Sequence, residues 1–239
     1  MPTTRAHVRG RRQLYRYPLI WLVGIALVVA TALLVLHLFQ ESDSTNGIDG
    51  SGVAATETRH VAAFDAVELV GVNDVDIHVG RKQSVTVHSD RNLLRHVTTE
   101  VQGSRLVIDT PGSFSTLAPM RVDIGVPALS AVSLSGSGRL RVDGIDAKLL
   151  TVTADGTGAV YAQGHARRVD ATLNGSGDLE LQRLVAREAH ALVPGSGQIW
   201  VYATRSVSAS VPGTGAVFYS GDPPRVMRKV SGTGAVVAK

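Results

Sequence analysis

The chain has 239 residues with 24 basic and 20 acidic side chains, but five arginines fall within residues 1–17, leaving 19 basic against 20 acidic residues beyond them. A nearly neutral remainder excludes a nucleic-acid binder, which needs a basic face on the folded part itself. The lack of cysteine excludes disulfides, thiolate nucleophiles, cysteine-ligated zinc and a lipidated cysteine anchor, while 25 glycines with 5% aromatics suit a turn-rich β architecture.

In chain order, residues 1–17 form a basic tail carrying Arg5, Arg9, Arg11, Arg12 and Arg16. Leu19 to Phe39 follows as 21 residues without a formal charge. As a helix this run measures about 31 Å, the thickness of a bilayer hydrocarbon core. Tyr15, Tyr17 and Trp21 occupy the places of interfacial aromatics, and Glu41 and Asp43 flank the far end. We expect a transmembrane α-helix over 18–39, with the arginine tail in the cytoplasm and the rest exported. The run is longer than the apolar part of a signal peptide, and Gln40-Glu41-Ser42-Asp43 is a poor cleavage site, so an uncleaved anchor is expected. Residues 40–58 lack apolar periodicity and are rich in Gly, Ser, Thr and Asp, which reads as a flexible tether. The remaining 59–239 form the exported domain.

That domain is repetitive. A Gly-Ser/Thr-Gly triplet begins at Gly136, Gly156, Gly175, Gly195, Gly213 and Gly232, at spacings of 20, 19, 20, 18 and 19. Counting from each first glycine, positions −6, −4, −2, +4 and +6 are apolar at 28 of 30 sites, the exceptions being Ser130 and Arg228. The alternating positions −5, −3, −1, +3 and +5 are apolar at only 10 of 30. This is period-two alternation on both sides of a turn, repeated six times. A degenerate seventh copy places Val67, Leu69, Val75 and Ile77 at the same offsets around Gly71. Between it and Gly136 lie strand-like runs at 84–88, 97–102, 106–109 and 121–126, a capped helical turn at 90–94 and a loop at 111–119.

A nineteen-residue unit cannot bury its own apolar face, but stacked units share one core, which predicts a solenoid. Seven coils at about 4.8 Å per rung would span about 29 Å. Propeller blades need about 40 residues, and the leucine-rich pattern is absent. The triplet glycines are expected to supply positive φ at sharp corners, and Ser137, Thr157, Ser176, Ser196, Thr214 and Thr233 to align as a hydroxyl ladder.

At these residues the chain resembles the putative auto-transporter adhesin head (GIN) domain family. The resemblance is carried by Phe64-Asp65-Ala66-Val67, the six triplets, and Tyr219-Ser220-Gly221-Asp222-Pro223 before Gly232-Thr233-Gly234, and it covers about residues 60–239. It implies an all-β, right-handed parallel β-helix. It transfers no catalytic residues, and adhesion is the role its name implies.

Direct search for chemistry yields little. The residues preceding the triplets, Ser135, Asp155, Asn174, Pro194, Pro212 and Ser231, form no acidic ladder for calcium. Glycine triplets between strands are not a phosphate loop. His78 and His88 could face each other across adjacent strands, but no third metal ligand accompanies them. No paired carboxylates emerge for hydrolysis of a polysaccharide. We therefore expect no enzyme activity, no metal and no cofactor.

Two surfaces stand out. Five aromatics, Tyr161, Trp200, Tyr202, Phe218 and Tyr219, follow glycine triplets. The outward +5 column reads Arg141, Tyr161, Glu180, Trp200, Phe218, Val237, so Tyr161, Trp200 and Phe218 form a candidate partner surface for a sugar or a protein. The alternative is that the chain's own N-terminal strands cover them. The last coil, ending at Lys239, offers strand edges that could pair with a second copy. The expectation is a single-pass, membrane-anchored, non-catalytic solenoid that adheres to, scaffolds or recognises envelope glycans or proteins. A ligand sensor working through a membrane partner is the second reading, and a β-helix enzyme the third.

Overall fold

A computed structural model describes residues 47–239. The expected tail and membrane helix lie outside the described residues. Among the described residues no helix is long and apolar enough to cross a membrane. The strands, in chain order, are β1 Ile48–Asp49, β2 Ala54–Arg59, β3 Ala66–Gly71, β4 Asp74–Val79, β5 Ser84–Asp90, β6 Thr98–Gln102, β7 Arg105–Asp109, β8 Phe114–Ser115 and β9 Arg121–Val126. They continue with β10 Ala131–Gly136, β11 Arg139–Ala154, β12 Ala159–Leu173, β13 Asp178–Leu192, β14 Gln198–Val211, β15 Ala216–Ser220, β16 Arg225–Val230 and β17 Ala235–Ala238.

The alternation decides the architecture. Each triplet joins a strand of a first face to a strand of a second face, and like strands of successive coils pair in parallel. The long strands β11 to β14 each leave the second face, turn a second corner and enter the first face of the next coil. Every apolar residue at the inward offsets of the first five triplets is buried, in one continuous hydrophobic core. The all-β, solenoid-like architecture expected from the sequence is therefore present.

Coil order departs from chain order. Residues 105–126, β7 with β9, form an end coil that pairs with β3 and β4. The coil 66–79 is thus enclosed between 105–126 on one side and β10 and β11 on the other. The stack has eight coils, one more than the repeat count. Two antiparallel strands, β5 and β6, flank the end coil, and a 3-10 turn at Leu94–His96 connects them.

The triplet glycines have a different cause from the expected one. None of them has positive φ. Their corners stack so closely that a side chain has no room: a Cβ on Gly156 would overlap the carbonyl oxygen of Gly136, and one on Gly175 that of Gly156. Positive φ is used at the second corner instead, by Gly144 (76°), Gly164 (133°) and Gly221 (97°). The hydroxyl ladder reduces to one direct link, Ser176 to Ser196 at 2.9 Å.

The expected tether ends earlier than residue 58. Ile48–Asp49 pairs with Phe114–Ser115, and Ala54–Arg59 lies antiparallel along β5. Edge pairing through the backbone leaves most side chains of β2 in solvent, so the segment carries no apolar rhythm. Asp90 ties these parts together. Its carboxylate is fully buried and accepts the amide N–H groups of Gly52 (2.7 Å), Leu117 (3.0 Å) and Ala118 (3.1 Å). It therefore anchors two loops and does not cap the turn that follows it.

The Ala118 amide foremost, opposed by burial and helped by Leu117 and Gly52, holds the Asp90 carboxyl below the ordinary aspartate range. A lowered native pKa gives stability that is fully present above the unfolded value and lost as pH falls through the native one. Asp90→Asn is therefore expected to unfold more easily than wild type at neutral pH, with the gap closing in acid. Denaturant midpoints measured across that range check this; a gap independent of pH contradicts it.

Candidate functional site

The outward residues of the second face form a ladder fixed by strand register. Asp123 pairs with Asp76, Asp76 with Arg141, Arg141 with Tyr161, Tyr161 with Glu180, Glu180 with Trp200, Trp200 with Phe218 and Phe218 with Val237. The expected column is thus assembled, and it is extended by Asp76 of coil 66–79 and by Asp123 of the end coil, the latter concealed by chain order. Tyr161, Trp200 and Phe218 are each half-buried, and β5 and β2 lie beyond the opposite end of the stack.

The ladder divides by charge. At one end Arg121 lies 3.1 Å from Asp123 and 3.8 Å from Asp76, and Arg141 reaches Asp76 at 3.6 Å. At the other end Trp200 and Phe218 stack with ring centroids 5.2 Å apart and planes inclined by 19°. Because these residues are register partners one coil apart, each ring covers a face of the other and their edges point outward. Lys239 Nζ lies 5.1 Å from the Phe218 centroid. Of the other aromatics, Tyr202 is half-buried, whereas Tyr219 points inward and is buried.

Tyr161 differs. The Arg141 guanidinium sits 5.8 Å from its ring centroid, and the tyrosine lines a depression of about 300 Å³ together with Asp143, Gln163, Glu180 and Arg183. One wall of this notch is a bulge. The pairing of β13 with β14 jumps from Leu181↔Val201 to Val185↔Tyr202, so Gln182, Arg183 and Leu184 have no opposite number on β14, and Gln182 and Arg183 are exposed there while Leu184 stays in the core. The signal was present in the spacings: a 20-residue interval precedes an 18-residue one, and the difference falls in the second corner. Beside the notch, burial foremost and the neighbouring Glu180 charge second push the Asp178 carboxyl above its ordinary range.

The histidines are arranged otherwise than expected. β9 lies between β4 and β5, so His78 and His88 do not share adjacent strands. His88 bridges Asp123 (2.8 Å) and Thr56 (3.0 Å), while His78 approaches Asp143 at 3.9 Å. Among the described residues no group of three or more potential ligands converges on a metal position.

In the last coil, Arg228 takes an inward position on β16, lies 5.1 Å from the Tyr219 centroid and hydrogen-bonds its hydroxyl. It covers the core where the apolar pattern breaks. Met227 and Val230 on the same strand are exposed.

Residues 63–223 match the family described as putative auto-transporter adhesin, head GIN domain. The chain belongs to that family. Solved structures similar to this GIN domain include a putative adhesin from Bacteroides fragilis, at 22% identity and TM-score 0.69, covering 81% of this chain and 100% of the other. Another is a putative lipid binding protein from Parabacteroides distasonis, at 21% identity and TM-score 0.55, covering 80% of this chain and 99% of the other. These likenesses establish the shared fold. No curated protein matches the sequence.

Proposed function

We propose that this GIN domain is a non-catalytic recognition head for cell-envelope components, held at the outer face of the cytoplasmic membrane by the apolar segment 18–39. The observation that carries the reading is the outward ladder: Tyr161, Trp200 and Phe218 stand in register on a rigid stack, with charged neighbours at both ends. Stacked coils pre-order these side chains, so a partner loses little conformational freedom when it docks. The family name and the fold shared with proteins described as adhesins support the adhesion-type role. The exposed edge of the last coil is assigned to a second copy of the chain.

The test is retention of envelope fragments by the full-length chain, compared with Trp200→Ala. Removing a central aromatic anchor is expected to lower retention by about tenfold or more. The variant should still fold, since losing one half-exposed aromatic pair costs only about 1 kcal/mol. Equal retention by wild type and a folded Trp200→Ala contradicts the ladder as the recognition surface.

A further inference from the structure

The aromatic ladder is not one uniform platform. Trp200 and Phe218 each give one face to the other, Lys239 Nζ lies 5.1 Å from the Phe218 centroid, and Glu180 is the register neighbour of Trp200 on its other side. A sugar ring binds aromatics through its flat C–H face, which needs an open aromatic face. Of the ladder's three aromatics, Tyr161 lines a depression, together with Arg141 and Glu180 of the same column.

We propose that the notch beside Tyr161 is a binding subsite for one neutral pyranose unit of a glycan; this inference rests on the recognition role proposed above and names its ligand class. Three observations converge. The first is size: about 300 Å³ lies at the small end of ligand sites and suits one sugar ring.

The second is charge. The lining pairs two guanidiniums, Arg141 and Arg183, with two carboxylates, Asp143 and Glu180, and so balances to neutral. Arg141 and Asp143 are partly engaged by Asp76 at 3.6 Å and His78 at 3.9 Å. Glu180 and Arg183 make no ion pair among the described residues, and Gln182 reaches Glu180 at 3.4 Å. Planar donors and acceptors in equal measure match vicinal hydroxyls, which both give and accept hydrogen bonds. A strongly anionic ligand would meet Asp143 and Glu180.

The third is construction. The notch lies at the second corner, where β13 carries three residues, Gln182–Leu184, without partners on β14. Arg183 is the register partner of Gln163 on the Tyr161 coil, and the missing partner on β14 leaves its other side open.

The test uses the full-length chain with short neutral oligosaccharides, hexose and N-acetylhexosamine polymers, and with uronic-acid oligomers as the acidic arm. Ligand-detected NMR and calorimetry read binding. The expected result is weak but saturable binding of a neutral oligomer. Tyr161→Ala and Arg183→Ala should each lower it by about tenfold or more, Tyr161→Phe should retain most of it, and Met227→Ala, exposed on β16 and away from both the ladder and the notch, should leave it unchanged. Binding of no neutral oligomer, binding of acidic oligomers alone, or equal binding by folded Tyr161→Ala overturns the notch as a neutral-sugar subsite. If envelope retention still depends on Trp200 in those cases, the recognition role survives and only the sugar assignment fails. Loss of both refutes both.

Discussion

Gly156→Ala is expected to cost about 3 kcal/mol or more, an unusual amount for adding one methyl group. The new Cβ would overlap the Gly136 carbonyl oxygen, an atom of the backbone and not the movable end of a side chain. Relief requires the two corners to separate. That separation would strain the neighbouring hydrogen bonds, including Thr157 N–H to Gly136 O at 3.0 Å and Gly158 N–H to the same oxygen at 3.1 Å. Thr157→Ala, one residue away on the exposed crest of the same corner, should change stability by only about 0.5 kcal/mol or less. Urea unfolding of the two variants side by side checks the argument. If Gly156→Ala were as mild as Thr157→Ala, the steric account of the triplets would be wrong.

The second large effect is expected from Leu179→Ala. Leu179 is fully buried in mid-stack, with Val160 and Ile199 as its register partners in the coils on either side. Removing its side chain leaves a cavity between coils whose backbones are locked by parallel pairing, so collapse around the void is limited. A loss of about 2–5 kcal/mol follows. In a stacked repeat the damage should spread to neighbouring coils, because each coil depends on the interface with the next. Amide exchange is therefore expected to accelerate on β12 and β14 as well as β13. Acceleration confined to β13 would contradict that coupling.

The sequence carried the architecture because the same physical demand recurs in every coil. Inward sites at fixed offsets must be apolar, and stacked corners must be bare, so both patterns repeat six times. Tyr161, Trp200 and Phe218 were legible for the same reason: alternation that assigns neighbours inward assigns these outward. The end coil was hidden because no further triplet coil stacks on its outer side; its corner meets the irregular segment 47–52 and Asp90 instead. With no second triplet corner to fit against, residues 110–120 needed no glycine triplet and could include Pro111, Phe114 and Pro119. The adjoining coil likewise tolerates Val72 and Asn73 in place of serine and glycine, and Asn73 turns its side chain to Thr110.

The notch was harder to foresee. Gln163, Gln182 and Arg183 belong to no repeating column, and their convergence depends on three residues without partners in the next coil. The buried role of Asp90 was likewise invisible, since its three amide partners lie 27 to 38 positions away. The cause of the glycines was misjudged because sequence cannot distinguish a residue that turns from one that merely makes way.

The enclosed position of coil 66–79 has a consequence for how the molecule assembles. The contact from Ser130 to Asp65 joins positions 65 apart, and β3 cannot acquire both neighbours until β7 and β10 exist. A chain emerging from the ribosome therefore cannot add coils in simple succession from its beginning. The early strands must wait, with open edges, until a later segment doubles back to seal one side and the first true repeat closes the other. Loop closure of that length is slow, so the nucleus should form around β3, β7 and β10, with the triplet coils then winding on in order.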